Sequence, residues 1–324
     1  MNDFPAIGID VGGGSTKIGL VAPDGTVLGQ CSVASDVRLS GVDLLDQYIA
    51  AAEALQREAG IHKLAGIGIG LPGHIDLEAG TTQVGNVGCL NGFPIVQHVS
   101  AKTGLAVAIE NDATLAALAE FRFGVGRGSR RFMAVTLGTG IGVGFIVDGR
   151  AIHTANGTLA DIGHVIVDPL GEKTCRQGCR GCLESVASGL ALDEQLVEIV
   201  SRHPDCVAAR LSGTLDGLRL LFECAKRAEP HCERIVNDAA RFIAAGVVSW
   251  AHIFAPDRIA FAGGMAVGGG SPFVKSIASF ARSFAMPGYL THTDLLPAAL
   301  SSTAGIIGAA ALCLDQIPPR EAKS

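Results

Sequence analysis

The sequence predicts an α/β protein of two duplicated halves, each a mixed sheet covered by helices. Three observations predict it. A β-hairpin with a glycine-rich turn opens each half, over 6–22 and again over 131–147. After each hairpin, short apolar strands alternate with helical segments. The chain has 324 residues, 48% hydrophobic and 17% charged, enough for two packed cores. The expected boundaries are 1–123 plus 300–324 for a smaller N-terminal domain and 124–299 for a larger C-terminal one. A cleft between them is the expected ligand site.

The elements follow from local chemistry. Residues 6–10 are an apolar strand, Gly12-Gly13-Gly14 is a turn, and 17–22 is a second strand. Pro23-Asp24-Gly25 turns the chain into a third strand over 26–33. Residues 43–59 read as an amphipathic helix, with Leu45, Tyr48, Ile49, Ala52 and Leu55 on one face and Gly60 as its stop. Strands at 64–70 and 105–109 follow, and the second feeds a helix over 112–121. The pattern restarts with strands at 131–137 and 141–147, joined by Gly138-Thr139-Gly140, and a short strand after Gly149. Helices dominate 184–254, and a strand at 258–262 ends in Gly263-Gly264.

Composition excludes several classes. The net charge is −6 with no basic block, which argues against nucleic acid as a partner. No segment reads as a membrane span: the most apolar helix carries Arg241 and His252, and 304–314 is too short. Nine cysteines without an export signal point to a reducing, cytoplasmic setting.

Asp10-Val-Gly-Gly-Gly-Ser-Thr-Lys lies between two strands. A Walker loop or a dinucleotide fingerprint would open a helix instead. Here the backbone N–H groups of Gly12 and Gly13 can line a concavity for phosphate oxygens, with a hydroxyl from Thr16 and a charge from Lys17. Gly138, Thr139 and Gly140 repeat the design in the second half. A lone example reads as an ordinary turn; two at equivalent points of duplicated halves point to an actin-like ATPase (ribonuclease H-like) fold. Gly263-Gly264, then Gly268-Gly269-Gly270, are placed to approach a nucleoside; a flexible loop is an equal reading.

Glu110-Asn111-Asp112-Ala113 stands where a strand passes into a helix. Asp is a favoured helix N-cap, and capping alone accounts for it about as well as function does. The functional reading is a carboxylate that accepts a hydroxyl proton during phosphoryl transfer, with Asn111 holding a neighbouring hydroxyl. Further on, His164, Cys175, Cys179 and Cys182 have the number and types of ligands of a closed tetrahedral zinc site, with Glu184 beside it.

Together these motifs resemble the ROK family of sugar kinases, over essentially the whole chain and in order. The family's first phosphate motif resembles 10–16, with two residues inserted; Glu-Asn-Asp-Ala matches 110–113; Leu-Gly-Thr-Gly-Ile-Gly matches 137–142. The zinc motif follows at 164–184, and Thr303-Ala-Gly-Ile-Ile-Gly-Ala-Ala resembles the final helix, which packs back on the N-terminal domain. The resemblance implies Asp112 as the base. It also implies hexose contacts at or near Gly73, Asn86, Asn111, Asp112, His164 and Glu184. His164 is expected to give one ring nitrogen to zinc and the other to sugar.

Three departures stand out. Gln177 takes the place of the family's second zinc cysteine, and Cys179 is expected to serve instead. Asp161 replaces a sugar-binding Glu and is one methylene shorter. The first glycine loop is longer.

The implied reaction is transfer of the γ-phosphoryl group of ATP, with Mg²⁺, to a hexose hydroxyl, C6 of glucose being the plain expectation. Asp10 is expected to hold a magnesium-bound water, and zinc to be structural. Alternatives are an aminohexose or N-acetylhexosamine as acceptor and polyphosphate as donor. A sugar-responsive regulator is a remote alternative, since such relatives carry an N-terminal helix-turn-helix domain for which the strand at residue 6 leaves no room. The family suggests a homodimer or homotetramer.

Overall fold

The computed structural model describes residues 4–83, 85–155, 159–211, 215 and 217–316. Residues 317–324 of the expected N-terminal domain lie outside them. The chain runs β1 (Ala6–Asp10), β2 (Ser15–Val21), β3 (Val27–Ala34), α1 (Gly41–Glu58), β4 (Ile67–Leu71), β5 (His74–Asp76), β6 (Thr81–Gln83), α2 (Ile95–Thr103), β7 (Val107–Asn111) and α3 (Asp112–Phe123). It continues with β8 (Arg131–Leu137), β9 (Ile141–Val147), β10 (Arg150–Ala151), α4 (Leu183–Ala187), α5 (Gly189–Arg202), α6 (Val207–Leu211), α7 (Gly217–Lys226) and α8 (Pro230–Phe254). The last elements are β11 (Arg258–Ala262), α9 (Gly264–Phe284), β12 (Asp294–Pro297) and α10 (Ala304–Gln316).

Two five-stranded sheets have matching orders, β3-β2-β1-β4-β7 and β10-β9-β8-β11-β12. In the first, β1 pairs antiparallel with β2 and parallel with β4, and β4 pairs parallel with β7. In the second, β11 pairs parallel with both β8 and β12. The chain divides into two compact units, 1–128 with 144–160 and 302–324, and 129–143 with 161–301. Residues 144–160 thus pack with the first unit.

In the first unit, α10 lies on the sheet of β1, β2, β4 and β7 and against α3. The sequence allows this through absent side chains. A Cβ on Gly8 of β1 would meet the Ile306 carbonyl oxygen at 1.9 Å, and one on Gly68 of β4 the Ala309 carbonyl oxygen at 1.7 Å. The other face is covered by α1, capped by Ser40, whose hydroxyl accepts the Asp43 N–H; Leu44, Leu45, Tyr48 and Ile49 are buried there with Ile7, Ile9, Ile18 and Ile69. In the second unit, Phe132, Ile259, Phe261, Ile243 and Trp250 are buried, and the Trp250 indole donates to the Ile162 carbonyl at 3.2 Å.

The structure corrects the third glycine cluster. Gly268, Gly269 and Gly270 are not a loop but lie inside α9, which kinks at Gly270 (φ +61°) two residues before Pro272. Cβ atoms at Gly268 and Gly269 would meet the Phe222 ring at 2.9 and 2.8 Å, so these glycines let α9 close on α7. Among the described residues no helix is long and apolar enough to cross a membrane.

Candidate active site

The first unit gathers its polar residues where β1, β4 and β7 end. Asn111 is the last residue of β7 and caps α3: its Oδ1 accepts the N–H groups of Ala113 at 2.9 Å and Thr114 at 3.3 Å. The cap is therefore Asn111, and the capping explanation for Asp112 falls away. Asn111 Nδ2 donates to the Gly73 carbonyl at 3.1 Å, which joins two of the expected hexose contacts. Gly73 has φ +92°, and a Cβ there would meet the Gln83 carbonyl oxygen at 2.3 Å, so only glycine fits this turn.

Asp112 opens the first turn of α3. Its side chain is reached by solvent at the start of the helix. Desolvation, then the Asp10 carboxylate, lift its pKa to about 6, while the Ala113 N–H at 2.8 Å from Oδ1 opposes the rise. Asp10 also stands above the usual carboxylate range, through desolvation against the opposing charge of Lys17. The Asp10 carboxyl lies over Gly305 in the first turn of α10, where a Cβ would come within 2.3 Å of Oδ2. Two interacting carboxylates suit a hard cation, which takes oxygen ligands and relieves their repulsion.

The first glycine turn is open at Gly13 and Gly14. Asn86 lies against it, with Nδ2 3.2 Å from where a Gly13 Cβ would stand. Gly12 turns the chain so tightly that a Cβ would meet the Ser15 carbonyl oxygen at 2.6 Å. Thr16 corrects the sequence reading. It is 0% exposed, and its hydroxyl lies 2.9 Å from that of Ser35, which also accepts from Tyr48 at 3.0 Å. Strand alternation turns Thr16 into the core, so its hydroxyl is not presented at the loop. Lys17 Nζ donates to the Ser302 carbonyl at 3.0 Å and ties the hairpin to the start of the C-terminal segment.

Two residues that the sequence did not single out join this cluster. Glu110 is 2% exposed; one carboxylate oxygen accepts the Asn111 N–H at 2.8 Å and the other lies 2.6 Å from His153 Nε2. Glu110 sits in a motif that draws the eye to its neighbours, and no spacing signal marks His153.

In the second unit, Gly138-Thr139-Gly140 closes the β8–β9 turn, with the Gly138 N–H donating to the Gly140 carbonyl at 3.0 Å. Glu184 Oε2 accepts the Ile141 N–H at 3.1 Å, and a Cβ on Gly140 would stand 2.5 Å from that oxygen. Gly263 (φ +90°) precedes α9 and packs on Leu137, where a Cβ would meet the carbonyl oxygen at 2.4 Å. It caps α9 with no side-chain hydrogen bond, and Gly264 begins the helix. Beside α7, α8 and α9 lies a cavity of about 660 Å³ lined by Phe222, Lys226, Glu233 and Phe273 among others.

His164 ends a short 3₁₀ turn that begins at Ala160 and contains the exposed Asp161. Its Nδ1 lies 3.6 Å from Cys175 Sγ and 3.7 Å from Cys182 Sγ. A tetrahedral zinc with ordinary Zn–N and Zn–S bonds places N and S roughly 3.6 Å apart, so these spacings fit the metal. Among the described residues, His164, Cys175 and Cys182 are the group whose ligand atoms all lie within 4.8 Å of one another. Cys179, the expected fourth ligand, stands outside that group. Gly178 (φ +87°) reverses the chain so that the Cys179 carbonyl accepts the Cys175 N–H at 3.0 Å. The Cys179 thiol is held above its ordinary pKa by desolvation first, then by the nearby Cys175.

The family model described as the ROK family matches residues 6–316. The chain is 31% identical over 320 residues to a glucokinase of Thermotoga maritima, covering 98% of this chain and 99% of the relative. A ROK family glucokinase from Streptomyces griseus, solved in complex with glucose and AMPPNP, superposes with a TM-score of 0.84 at 29% identity, over 96% of this chain and 99% of that one. A ROK hexokinase from Thermus thermophilus superposes with a TM-score of 0.81 at 29% identity, over 97% and 99%.

Proposed function

The chain belongs to the ROK family, with the actin-like ATPase fold of its sugar kinases, and on that premise we propose that it is an ATP-dependent kinase that phosphorylates glucose at the C6 hydroxyl. The observation that carries the mechanism is Asp112. A carboxylate with a pKa of about 6 is mostly ionised at neutrality yet more basic than an ordinary one, as suits a general base. It opens a helix whose cap is already supplied by Asn111, so its carboxyl is not needed for folding the turn.

Asp112 takes the proton from the attacking hydroxyl as the oxygen bonds to phosphorus and ADP leaves. Gly73, Asn86 and Asn111 of the first unit, and Asp161, His164 and Glu184 of the second, are assigned as hexose contacts. Gly12, Gly13, Gly138, Thr139, Gly140, Gly263 and Gly264 are assigned to the nucleotide, with Lys17 adding charge. The N-terminus of α9, which lacks a side-chain cap, supports an anion there, and the apolar walls of Phe222 and Phe273 further along support the nucleoside. Asp10 is assigned to water on Mg²⁺, which supplies charge neutralisation on the phosphates. His164, Cys175 and Cys182, with Cys179 as a fourth thiol, would hold a zinc whose part is to fix the loop that carries His164 and Glu184. The Nδ1 side of His164 faces the thiols, leaving Nε2 for a sugar hydroxyl. A cytoplasmic homo-oligomer completes the reading.

A second reading, a kinase for an aminohexose or N-acetylhexosamine, rests on Asp161, whose short carboxylate leaves room beside the ring. ADP release measured with a panel of hexoses, with ATP and polyphosphate as donors, tests both. Turnover on glucose with ATP is expected; a panel without any active hexose would overturn the assignment.

A further inference from the structure

We infer that His153 is a positioning residue for the phosphotransfer base, acting through Glu110 on the turn that carries Asp112; this rests on the reading of Asp112 as that base. Glu110 is an almost fully buried carboxylate, and burying a lone charge is costly unless it is paired. Its partner is His153, 2.6 Å away, whose side chain is 31% exposed. The hydrogen bond it makes to Glu110 raises the pKa of His153, while its partial burial opposes the rise.

The pair bears directly on the turn. The second oxygen of Glu110 accepts the Asn111 N–H at 2.8 Å, so Glu110 holds the peptide just before the cap. Asn111 in turn holds Gly73 and the first N–H groups of α3. The residue that follows Asn111 is Asp112. Remove the imidazole and the Glu110 carboxylate loses its hydrogen-bond partner; it must then admit water or swing away, and either outcome loosens its grip on the Asn111 peptide. The segment that carries His153 is already fixed against α3, because Gly144 of the same hairpin lies so close to Ala113 that a Cβ would meet its carbonyl oxygen at 2.5 Å. Ile152, beside His153, donates its N–H to the Phe145 carbonyl at 2.9 Å, which ties His153 to that hairpin, as positioning requires.

The test is steady-state kinetics of His153→Ala, His153→Gln, Glu110→Gln and the double variant Glu110→Gln/His153→Gln, each checked by thermal melting, with Asp112→Asn in parallel. A displaced base lowers kcat while leaving ground-state binding in place. His153→Ala is expected to lose roughly ten- to a hundredfold in kcat with KM for glucose and ATP within about threefold, since ångström-scale misplacement costs on that order. His153→Gln keeps an N–H donor and is expected to recover most of the loss. The double variant is expected to lose no more than the worse single one, because the two residues act as a unit. If His153→Ala melts below the assay temperature, His153→Gln and Glu110→Gln decide: additive losses between them overturn the inference. A kcat within twofold of wild type for a folded His153→Ala, or a loss confined to KM, also overturns it. Asp112→Asn separates the two readings: if it is inactive while His153→Ala is normal, only the role of His153 falls; if it turns over normally, both fall.

Discussion

Glu184 Oε2 accepts the backbone N–H of Ile141 at 3.1 Å, so a residue assigned to the sugar is held by the glycine turn assigned to the nucleotide. The contact exists because Gly140 has no Cβ to displace that oxygen. On that assignment, one hydrogen bond would couple the two substrate sites. Glu184→Ala is expected to raise KM for glucose and for ATP together, by roughly tenfold to a hundredfold, the range of a hydrogen bond to a charged group. Glu184→Gln keeps an oxygen acceptor for Ile141 and should raise the glucose KM while leaving that for ATP nearly unchanged. Equal effects of the two variants on ATP would dissolve the link.

The ionisation of Asp112 sets a second expectation. Its carboxyl has a pKa of about 6, and only the ionised form accepts a proton. The acid limb of kcat/KM should therefore fall as pH drops through about 6. Asp112→Asn should bind glucose but lose turnover by roughly 10²- to 10⁴-fold, the usual worth of a general base. The same shift has a stability consequence of opposite direction. A carboxyl with a raised folded pKa binds its proton more tightly in the folded chain, so ionising it weakens the fold, with no penalty below pH 3.8 and a full one above about pH 6. Asp112→Asn should then melt higher than wild type at pH 7.5 and level with it at the acid end.

Much of this was legible in the sequence, and what was not has physical causes. The strands 6–10, 131–137, 141–147 and 258–262 match the structure because apolar runs bounded by glycine or charge leave little choice. The helix at 95–103 was missed because Pro94 caps it without a side-chain bond and few of its residues are buried. The helix at 264–284 was missed because Gly268, Gly269, Gly270 and Pro272 argue against helix, and only the packing of Phe222 and Phe273 on those glycines outweighs them. The 294–297 strand exists through its parallel pairing with β11, a long-range contact that four residues cannot announce. In the site, residue types were readable but directions were not: nothing local says that Thr16 faces Ser35, that Asn111 rather than Asp112 is the cap, or that His153 reaches Glu110.

The cysteine cluster gives a metal test. Purified protein is expected to carry about one zinc per chain, as a single tetrahedral site requires. Stripping it with a chelator should lower the melting temperature and weaken glucose binding, because His164 is tied to the same thiols. Cys175→Ser and Cys182→Ser should lose the metal. Cys179→Ser discriminates: if its thiol is the fourth ligand the zinc content falls as well, and if water or another donor completes the shell it stays. A metal-free protein with full activity would remove zinc from the account.

The close seating of α10 gives the sharpest stability test. A Cβ on Gly68 would stand 1.7 Å from the Ala309 carbonyl oxygen, and backbone cannot yield as a side-chain tip can. Gly68→Ala must push α10 off β4, and overpacking of this kind costs about 3 kcal/mol. Gly14→Ala is the matched control, since a Cβ there meets nothing within 4 Å. It should change stability by less than about 0.5 kcal/mol. Because α10 also sets Gly305 against the Asp10 carboxyl, the displacement should reach the site. Urea titration of the two variants measures the first effect, and the KM for ATP of any folded Gly68→Ala protein measures the second. A Gly68→Ala protein as stable as wild type would show that the helix is seated less tightly than its carbonyls indicate.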